Sequence, residues 1–217
     1  MMFQNSLLCT SRIKQIVFSS RSNAPKNRYV DVPCLDQSAV LLPQNGYIHA
    51  NFVHSYSRKN AYILTQGPLD STVADFWQMV WFSGASVVVI IDGVDGQCSP
   101  RQIDHFLFLG WPDYDVPSSA VGFLTFLDVI NHDFIPPLIV HCSAGIGRTG
   151  ASSLPLYQYI ERVVDIRGIV SRMRCQRACT VQTSKQYAFI HQADAPHFGR
   201  KTDFSDFFYP VLLGMQK

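Results

Sequence analysis

The stretch that most constrains the fold is HCSAGIGRTG, His141 to Gly150, which directly follows the apolar run Pro137 to Val140. A short apolar run that ends in a glycine-rich turn and leads into a helical pattern predicts a buried strand followed by a helix. At such a junction, backbone N–H groups and the positive end of the helix dipole surround a small concavity. The stretch therefore predicts an anion-binding loop at the carboxyl end of a buried strand.

Two side chains give this loop its chemistry, the thiol of Cys142 and the guanidinium of Arg148. Because cysteines near helix N-termini and basic groups favour the thiolate, we expect the loop to hold Cys142 in that form. A guanidinium also presents a planar pair of donors that matches two oxygens of a tetrahedral phosphate. We expect the Thr149 hydroxyl to hydrogen-bond the thiolate. Together these groups predict a nucleophile directed at a phosphoryl group.

Two other interpretations of the loop remain open at this point. Cys142 could be an inert buried cysteine, with the glycines forming an ordinary turn between a strand and a helix. The loop could also bind a nucleotide, but a nucleotide-binding P-loop ends in Lys followed by Ser or Thr, and this loop has Arg148.

The rest of the chain alternates short apolar runs with helical patterns, which is typical of α/β proteins. We predict a mixed, twisted sheet with a parallel core and helices on both faces. One helix is expected over Asp70 to Trp81, with Phe76, Trp77, Val80 and Trp81 on a buried face. The runs that carry the alternation are YILTQGP, DSTVADFWQMVWF, ASVVVIID, HFLFLGW, VGFLTFLDVI and PPLIVHC.

Composition excludes several classes of protein. A chain of 217 residues with 47% hydrophobic residues can form one globular domain with a sizeable core. A net charge of +2 is too small to indicate nucleic-acid or membrane binding. No apolar run approaches the roughly 18 residues of a membrane span, and the N-terminus lacks an apolar signal core. We therefore expect a soluble, non-secreted protein, with residues 1–22 as a short arm and 23–217 as the domain.

The cysteines and arginines outside the loop receive structural interpretations. The six cysteines are scattered, which favours a reduced, intracellular protein over a disulfide framework. Cys175 and Cys179 lack the paired histidines of a zinc site, so we predict neither a metal nor a cofactor. A cluster of arginines is expected to form a solvated helix face with structural ion pairs, or to attract acidic peptides: Arg167, Arg172, Arg174 and Arg177.

Taken with the loop, five further motifs make the chain resemble the catalytic domain of classical protein tyrosine phosphatases. The resemblance extends from about Asn23 to Gln192, with the motifs in the order of that family. The motifs are KNRYVDV, YILTQGP, DFWQMVW, HFLFLGWPD and VQTSKQY. Dual-specificity cysteine phosphatases share the Cys and Arg loop but generally lack the KNRY motif and the glutamine motif VQTSKQY. The presence of both motifs therefore favours phosphotyrosine as the substrate.

The resemblance implies a role for each matching residue. Cys142 would be the nucleophile, and Arg148 would hold the phosphoryl oxygens. Asp113, after Trp111 and Pro112, would be the general acid on a loop hinged at Trp111 and Pro117. Gln182 would position the hydrolytic water, with Gln186 in support. Tyr29 would stack on the substrate ring, and Asp31 would bind the backbone of the substrate peptide. His141 would support the phosphate-binding loop. The backbone amides that bind phosphate would be those of Ser143, Ala144, Gly145, Ile146, Gly147 and Arg148.

The chain departs from the family in the middle. Between Val87 to Asp92 and His105, the family usually carries several dozen more residues, with antiparallel strands and a Glu and a Lys that support the acid loop. Here only GVDGQCSPRQID intervenes. We therefore expect a fold that lacks some outer antiparallel strands. Asp115 also stands where the family commonly has glycine, which adds a carboxylate near a dianionic substrate.

The function implied is hydrolysis of phosphotyrosine in proteins through a cysteinyl-phosphate intermediate. The alternative is a phosphotyrosine-binding protein with little turnover, because the shortened middle region could leave Asp113 poorly placed. The compact layout also resembles the small phosphatases encoded by polydnaviruses of parasitoid wasps. That resemblance implies phosphotyrosyl proteins of an infected host cell as the targets. We expect a monomer that acts in the cytoplasm, which would be that of the host cell for a viral protein.

Overall fold

A single mixed sheet forms the centre of the computed structural model, which describes residues 14–55, 58–91, 103–112, 115–131, 136–153 and 165–194. The strands are β1 (Ala39–Leu42), β2 (Gly46–Val53), β3 (Tyr62–Gln66), β4 (Val87–Ile90), β5 (Asp104–Leu107) and β6 (Leu138–Cys142). Strands β3, β6, β4 and β5 are neighbours in that order and run parallel. On the other side of β3, β2 pairs antiparallel with β3, and β1 pairs antiparallel with β2. This arrangement confirms the predicted parallel core.

Helices cover both faces of the sheet, as predicted. Side chains alternate between the faces along each strand, so consecutive residues of β6 enter different cores. The helices are α1 (Val73–Ser83), α2 (Ala120–Asn131), α3 (residues 147–153), α4 (Ile166–Arg174) and α5 (Ser184–Asp194). Ile139 belongs to the core between the sheet and α1, and Val140 belongs to the core between the sheet and the other helices.

The predicted helix at Asp70 to Trp81 forms, but its buried face differs from the expectation. A short 3₁₀ turn at Asp70–Thr72 leads into α1, which ends at Gly84 in the left-handed conformation, with a φ of 75°. The buried stripe is Phe76, Met79 and Val80. Trp77 and Trp81 lie on the adjacent stripe, about 100° around the helix from Phe76 and Val80. Trp81 is therefore 53% exposed, and the prediction of its burial is wrong.

Part of the N-terminal segment is bonded to the domain. The Asp36 carboxylate accepts hydrogen bonds from the backbone N–H groups of Ile16 and Val17, at 2.7 and 3.1 Å. The Asp36 N–H in turn donates to the carbonyl of Lys14 at 3.0 Å. Residues 1–13 lie outside the described residues, so the boundary between an arm at 1–22 and a domain at 23–217 stays a prediction.

The cysteines do not all follow the expectation of a reduced protein. Cys34, Cys142 and Cys179 are free thiols, but Cys175 takes part in a disulfide whose partner lies outside the described residues. Within the described ranges, no group of three His, Cys, Asp or Glu side chains is arranged as metal ligands. None of the helices described above has the length and apolar character needed to cross a membrane.

Candidate active site

The floor of the site is the carboxyl end of β6, which has a parallel neighbour on each side, β3 and β4. Cys142 ends this strand, pairs in register with Gln66 of β3, and is only 4% exposed. The backbone N–H of Gly67 donates to the carbonyl of Ser143 at 2.9 Å, which extends the pairing one step into the loop. The His141 ring contacts Phe76 edge-on, with centroids 5.6 Å apart. The reactive thiol is therefore fixed by the centre of the sheet.

A tight turn at Gly145 lets the loop fold back over the end of β3. Gly145 has a φ of 68°, and a Cβ atom at this position would lie 2.0 Å from the carbonyl oxygen of Thr65. Both the dihedral angle and the backbone contact exclude any residue but glycine. The glycine content that suggested a phosphate-binding loop thus has a direct steric cause at this position.

Arg177 orients the peptide groups of the loop. Its Nη2 donates to the carbonyl of Ala144 at 3.1 Å, and its Nε donates to the carbonyl of Gly145 at 3.0 Å. In a trans peptide the C=O and N–H point in opposite directions, so these bonds turn the following N–H groups away from Arg177. Accordingly the N–H of Gly145 faces the thiol, with its nitrogen 3.3 Å from Cys142 Sγ. Arg177 thereby directs backbone donors toward the cysteine.

Arg177 itself is fully buried and held by two polar side chains of β2. Its Nη1 donates to Asn51 Oδ1 at 2.9 Å and lies 3.1 Å from Nδ1 of His49. His49 Nε2 is 2.8 Å from the carbonyl of Val32, so the ring is the neutral tautomer that accepts at Nδ1 and donates at Nε2. Burial and the nearby Arg177 charge lower the pKa of His49 to about 3.

Arg174 supports the loop from a second side. Its Nε and Nη2 donate to the carbonyls of Thr180 and Val181 at 2.8 and 2.7 Å. The N–H of Val181 then donates to the carbonyl of Ile146 at 3.0 Å. Arg174 and Arg177 are 5% and 0% exposed, so the prediction of a solvated arginine face is wrong for both. The sequence offered one signal for such buried cations, the polar His49 and Asn51 inside an otherwise apolar strand.

Helix α3 begins directly after the glycine-rich turn, as the sequence predicted. The N–H of Gly150 donates to the carbonyl of Ile146 at 3.1 Å, and Arg148 is half-buried in the first turn. The Thr149 hydroxyl is buried but makes no hydrogen bond within the described part of the chain. The expected bond from Thr149 to the Cys142 thiolate is therefore absent from the arrangement seen here.

The segment KNRY lies against the phosphate-binding loop. The Tyr29 hydroxyl is 2.9 Å from Ser143 Oγ, and the ring is 39% exposed. Gln66, at the end of β3, fixes the segment because its amide accepts from the N–H of Arg28 at 3.0 Å and donates to the carbonyl of Lys26 at 2.8 Å. Asp31 follows Tyr29 on the exposed surface. Tyr29 thus stands at the rim of the cysteine concavity.

The two glutamines of VQTSKQY flank the start of α5: Gln182 precedes the helix by two residues, and Gln186 lies in its first turn. Gln186 Oε1 accepts from the N–H groups of Gln182 and Thr183, at 2.9 and 3.2 Å. Thr183 Oγ1 accepts from the N–H of Gln186 at 3.1 Å, which completes a capping box. A Cβ atom at Gly147 would lie 3.2 Å from Gln182 Oε1 and 2.8 Å from Gln186 Nε2. Both side chains therefore reach the phosphate-binding loop, and Gln186 also has a structural role.

The predicted acid loop is described on both sides of Asp113, which itself lies outside the described residues. Trp111 is 5% exposed and packs edge-on against Phe123 and Phe189, with ring centroids 5.3 Å away in both cases. Its Nε1 donates to the carbonyl of Asp115 at 2.9 Å. Trp111 thus anchors the beginning of this segment in the core between α2 and α5.

The arrangement suits capture of an anion beside a buried thiol. Inward-facing N–H groups and the N-terminus of α3 provide a positive environment, and the rim carries the aromatic ring of Tyr29. The structure brings the loop residues, Tyr29 and both glutamines together, and it places Asp31 on the exposed surface two residues after Tyr29.

Comparison with known proteins identifies relatives of this arrangement. The family model described as protein-tyrosine phosphatase matches residues 23–99 and 92–195. Human tyrosine-protein phosphatase non-receptor type 9 is 37% identical over 247 residues, covering 80% of this chain and 42% of its own length. Human receptor-type tyrosine-protein phosphatase alpha is 32% identical over 242 residues, covering 83% of this chain and 30% of its own length. The chain spans less than half the length of these curated relatives.

Solved structures share the fold. The catalytic domain of human protein tyrosine phosphatase non-receptor type 18 superposes with a TM-score of 0.78 at 26% identity, covering 89% of this chain and 91% of that domain. PTPN18 in complex with HER2 phosphopeptides gives the same TM-score, 0.78, at 27% identity, covering 86% of this chain and 85% of that chain. These superpositions confirm the predicted cysteine-phosphatase fold.

The comparisons also support the predicted shortening of the middle region. The family model matches in two pieces that overlap at residues 92–99, between β4 and β5. The match to the type 9 enzyme runs over 247 residues, more than this whole chain of 217. The relative therefore has residues within the matched span for which the chain has no counterpart.

Proposed function

The chain belongs to the protein-tyrosine phosphatase family, and on this premise we propose that it hydrolyses phosphotyrosine in proteins through a cysteinyl-phosphate intermediate. One observation carries the proposal. The peptide group between Ala144 and Gly145 has its carbonyl bound to buried Arg177 and its N–H directed at Cys142 Sγ. A loop held in this way offers oriented N–H donors to a phosphoryl group beside the nucleophile. Because folding already orients these donors, little further free energy is needed to orient them when the substrate reacts.

In the first step the Cys142 thiolate attacks phosphorus. The S–P bond forms as the bond from phosphorus to the tyrosine oxygen breaks, and Asp113 gives its proton to that leaving oxygen. The amides of the loop and the Arg148 guanidinium stabilise the charge that the phosphoryl oxygens carry in the transition state. The tyrosine leaves, and the phosphate remains on the cysteine.

In the second step water cleaves the intermediate. Gln182 orients the water, which loses a proton to Asp113 as its oxygen bonds to phosphorus. The S–P bond breaks, the thiolate returns and inorganic phosphate is released. The support for this role is the position of Gln182, whose Oε1 lies next to Gly147 of the loop.

Tyr29 and Asp31 would select the substrate. Tyr29 stands at the rim, with its hydroxyl against Ser143, so its ring can stack on a phosphotyrosine that reaches down to Cys142. A phosphoserine is too short to span the same depth. Asp31 would accept hydrogen bonds from the substrate backbone. The PTPN18 complex with HER2 phosphopeptides supports phosphotyrosyl peptides as the ligand class.

Two finer points of the proposal rest on the sequence. The layout that resembles polydnavirus phosphatases favours phosphotyrosyl proteins of a host cell as targets, and the cytoplasm as the place of action. We also propose a monomer, since the phosphate-binding loop, Tyr29 and Gln182 come together within one chain and the proposed chemistry requires no residue of a second copy.

Release of inorganic phosphate from a phosphotyrosyl peptide tests the function. We expect the wild-type protein to release phosphate, and Cys142→Ser to release at least about a thousandfold less, because a hydroxyl is a far weaker nucleophile than a thiolate. Cys34→Ser is the matched control, since Cys34 is a buried free thiol outside the loop. It should keep most of the activity.

The alternative function predicts a different result from the same assay. A phosphotyrosine-binding protein without turnover would retain the peptide and release no more phosphate than Cys142→Ser. Equal release by the wild type and Cys142→Ser would overturn the proposal.

A further inference from the structure

An exposed ion pair joins the segment after Asp113 to helix α5. Lys185 Nζ lies 3.0 Å from Oδ1 and 3.1 Å from Oδ2 of Asp115, so it contacts both carboxylate oxygens. Asp115 Oδ1 also accepts the N–H of Val116 at 3.0 Å, which holds the carboxylate in place. Lys185 lowers the pKa of Asp115. The carboxylate that departs from the family pattern is therefore neutralised by a residue from another element.

Asp115 is also tied to the core through its backbone. Its carbonyl accepts from Trp111 Nε1, and the Trp111 ring packs against Phe189 of α5. Lys185 and Phe189 are four residues apart, so they lie on one face of that helix. The segment is thus attached to one face of α5 at two points, one apolar and buried and the other charged and exposed.

The same helix contacts the phosphate-binding loop. Gln186 follows Lys185, and a Cβ atom added to Gly147 would meet its Nε2 at 2.8 Å. An attachment to the first turn of α5 is consequently an attachment to the element that borders the cysteine. Of the ion pairs in the described part of the chain, this one connects the segment around Asp113 to that element.

We propose that Asp115 and Lys185 are positioning residues that hold the general-acid segment at the reaction centre and take over support that the shortened connection between β4 and β5 does not supply. The inference rests on the proposed function, because it assigns the pair to a catalytic segment. It concerns geometry alone, since neither side chain touches the substrate. The pair would fix the position of the segment that carries Asp113, and a misplacement of a catalytic group by about 1 Å can cost a hundredfold in rate.

Kinetics of charge variants test the pair. Lys185→Met and Asp115→Asn should each lower kcat on a phosphotyrosyl peptide about two- to fivefold, with KM changed less than about twofold. The charge-reversed double variant, Asp115→Lys with Lys185→Asp, should recover most of the loss. The difference in kcat between the wild type and each single variant should shrink in about 1 M NaCl, because the Debye length there is about 3 Å and the ion pair of the wild type is itself screened. It should also grow with the basicity of the leaving phenol in a series of aryl phosphates, as expected for impaired proton donation.

Lys59→Met is the matched control, because Lys59 is an exposed lysine in the turn between β2 and β3. It should retain wild-type kcat. Hydrogen exchange of the amides in residues 111–117 provides a readout independent of turnover. Exchange should accelerate severalfold in Lys185→Met and return to the wild-type rate in the double variant.

The two readouts separate the inference from the function. If the wild type releases no phosphate but exchange still accelerates in Lys185→Met and recovers in the double variant, the proposed function fails, although the pair does hold the segment in place. If the wild type is active and both single variants match it in kcat and in exchange, the positioning role is wrong. A kcat loss that the charge reversal does not repair would also overturn it.

Discussion

The two sides of the candidate site are supported by different kinds of interaction. The phosphate-binding loop is held by the fully buried Arg177 and the 5% exposed Arg174, which bind backbone carbonyls. The segment around Asp113 is held by the packed ring of Trp111 and by the ion pair to Lys185, whose side chain is 65% exposed. The first support lies entirely in the core, whereas the second combines one buried ring with an exposed ion pair. The loop should therefore depend on the stability of the fold, and the acid segment on local geometry.

The largest expected effect comes from removing Arg177. In Arg177→Met the carbonyls of Ala144 and Gly145 lose their hydrogen-bond donor inside the protein. Asn51 Oδ1 and His49 Nδ1 lose the same donor. We expect the free energy of unfolding to fall by about 3–5 kcal/mol, as for other broken buried charge networks. Urea unfolding monitored by circular dichroism measures it. Arg167→Met, on the exposed side of α4, should change it by less than about 0.5 kcal/mol. Similar values for the two variants would remove the contrast between the regions.

Acid should weaken the buried side of the site through His49. Its pKa falls from 6.5 in the unfolded chain to about 3 in the folded protein. Between these values the unfolded chain binds more protons, so the stability present above pH 6.5 is lost as the pH falls. We expect His49 to remove about 3 kcal/mol of unfolding free energy between pH 6.5 and pH 4.

Urea midpoints across this pH range measure the effect. His49→Gln should flatten the dependence, because the amide oxygen can still accept from Arg177 and does not titrate in this range. His191→Gln, at an exposed position in α5, should leave the dependence unchanged. If the urea midpoint still depends on pH in His49→Gln, groups other than His49 cause the dependence.

The smallest expected effect on stability lies on the acid-segment side. Trp111→Phe keeps an aromatic ring beside Phe123 and Phe189 but removes the N–H that binds the Asp115 carbonyl. We expect a loss of about 1 kcal/mol in the free energy of unfolding, together with about a tenfold loss of kcat from misplacement of the segment. Unfolding and peptide hydrolysis measured on one preparation test both values. A loss as large as that of Arg177→Met would show that the bond from Trp111 to the Asp115 carbonyl stabilises the fold as much as the buried arginine does.

The sequence predicted the elements whose signals are local. The apolar runs in YILTQGP, ASVVVIID and PPLIVHC became β3, β4 and β6, and the glycine-rich turn led into α3. These predictions succeed because strand length, turn residues and hydrophobic periodicity are properties of neighbouring residues.

The sequence did not predict which polar groups become buried partners. Arg174 and Arg177 looked like surface residues because arginine is seldom buried without a partner. Their partners lie on β2 and on two loops, so only the folded chain brings them together. Likewise, the position of Asp115 showed an extra carboxylate but could not identify Lys185 as its partner. The prediction of a buried Trp81 was wrong because this residue lies beside the buried stripe of α1, near the end of the helix, where it is 53% exposed.

The central position of β6 has a consequence for the order in which the protein can assemble. Both of its neighbours, β3 and β4, precede it in the chain, so it must enter between two strands that are already synthesised. Contacts between distant parts of a chain form late and slow folding. The loop after β6 then waits for Arg177, which is synthesised later still. The reaction centre should therefore be among the last parts of the protein to mature, and partly folded chains emerging from the ribosome should carry no activity.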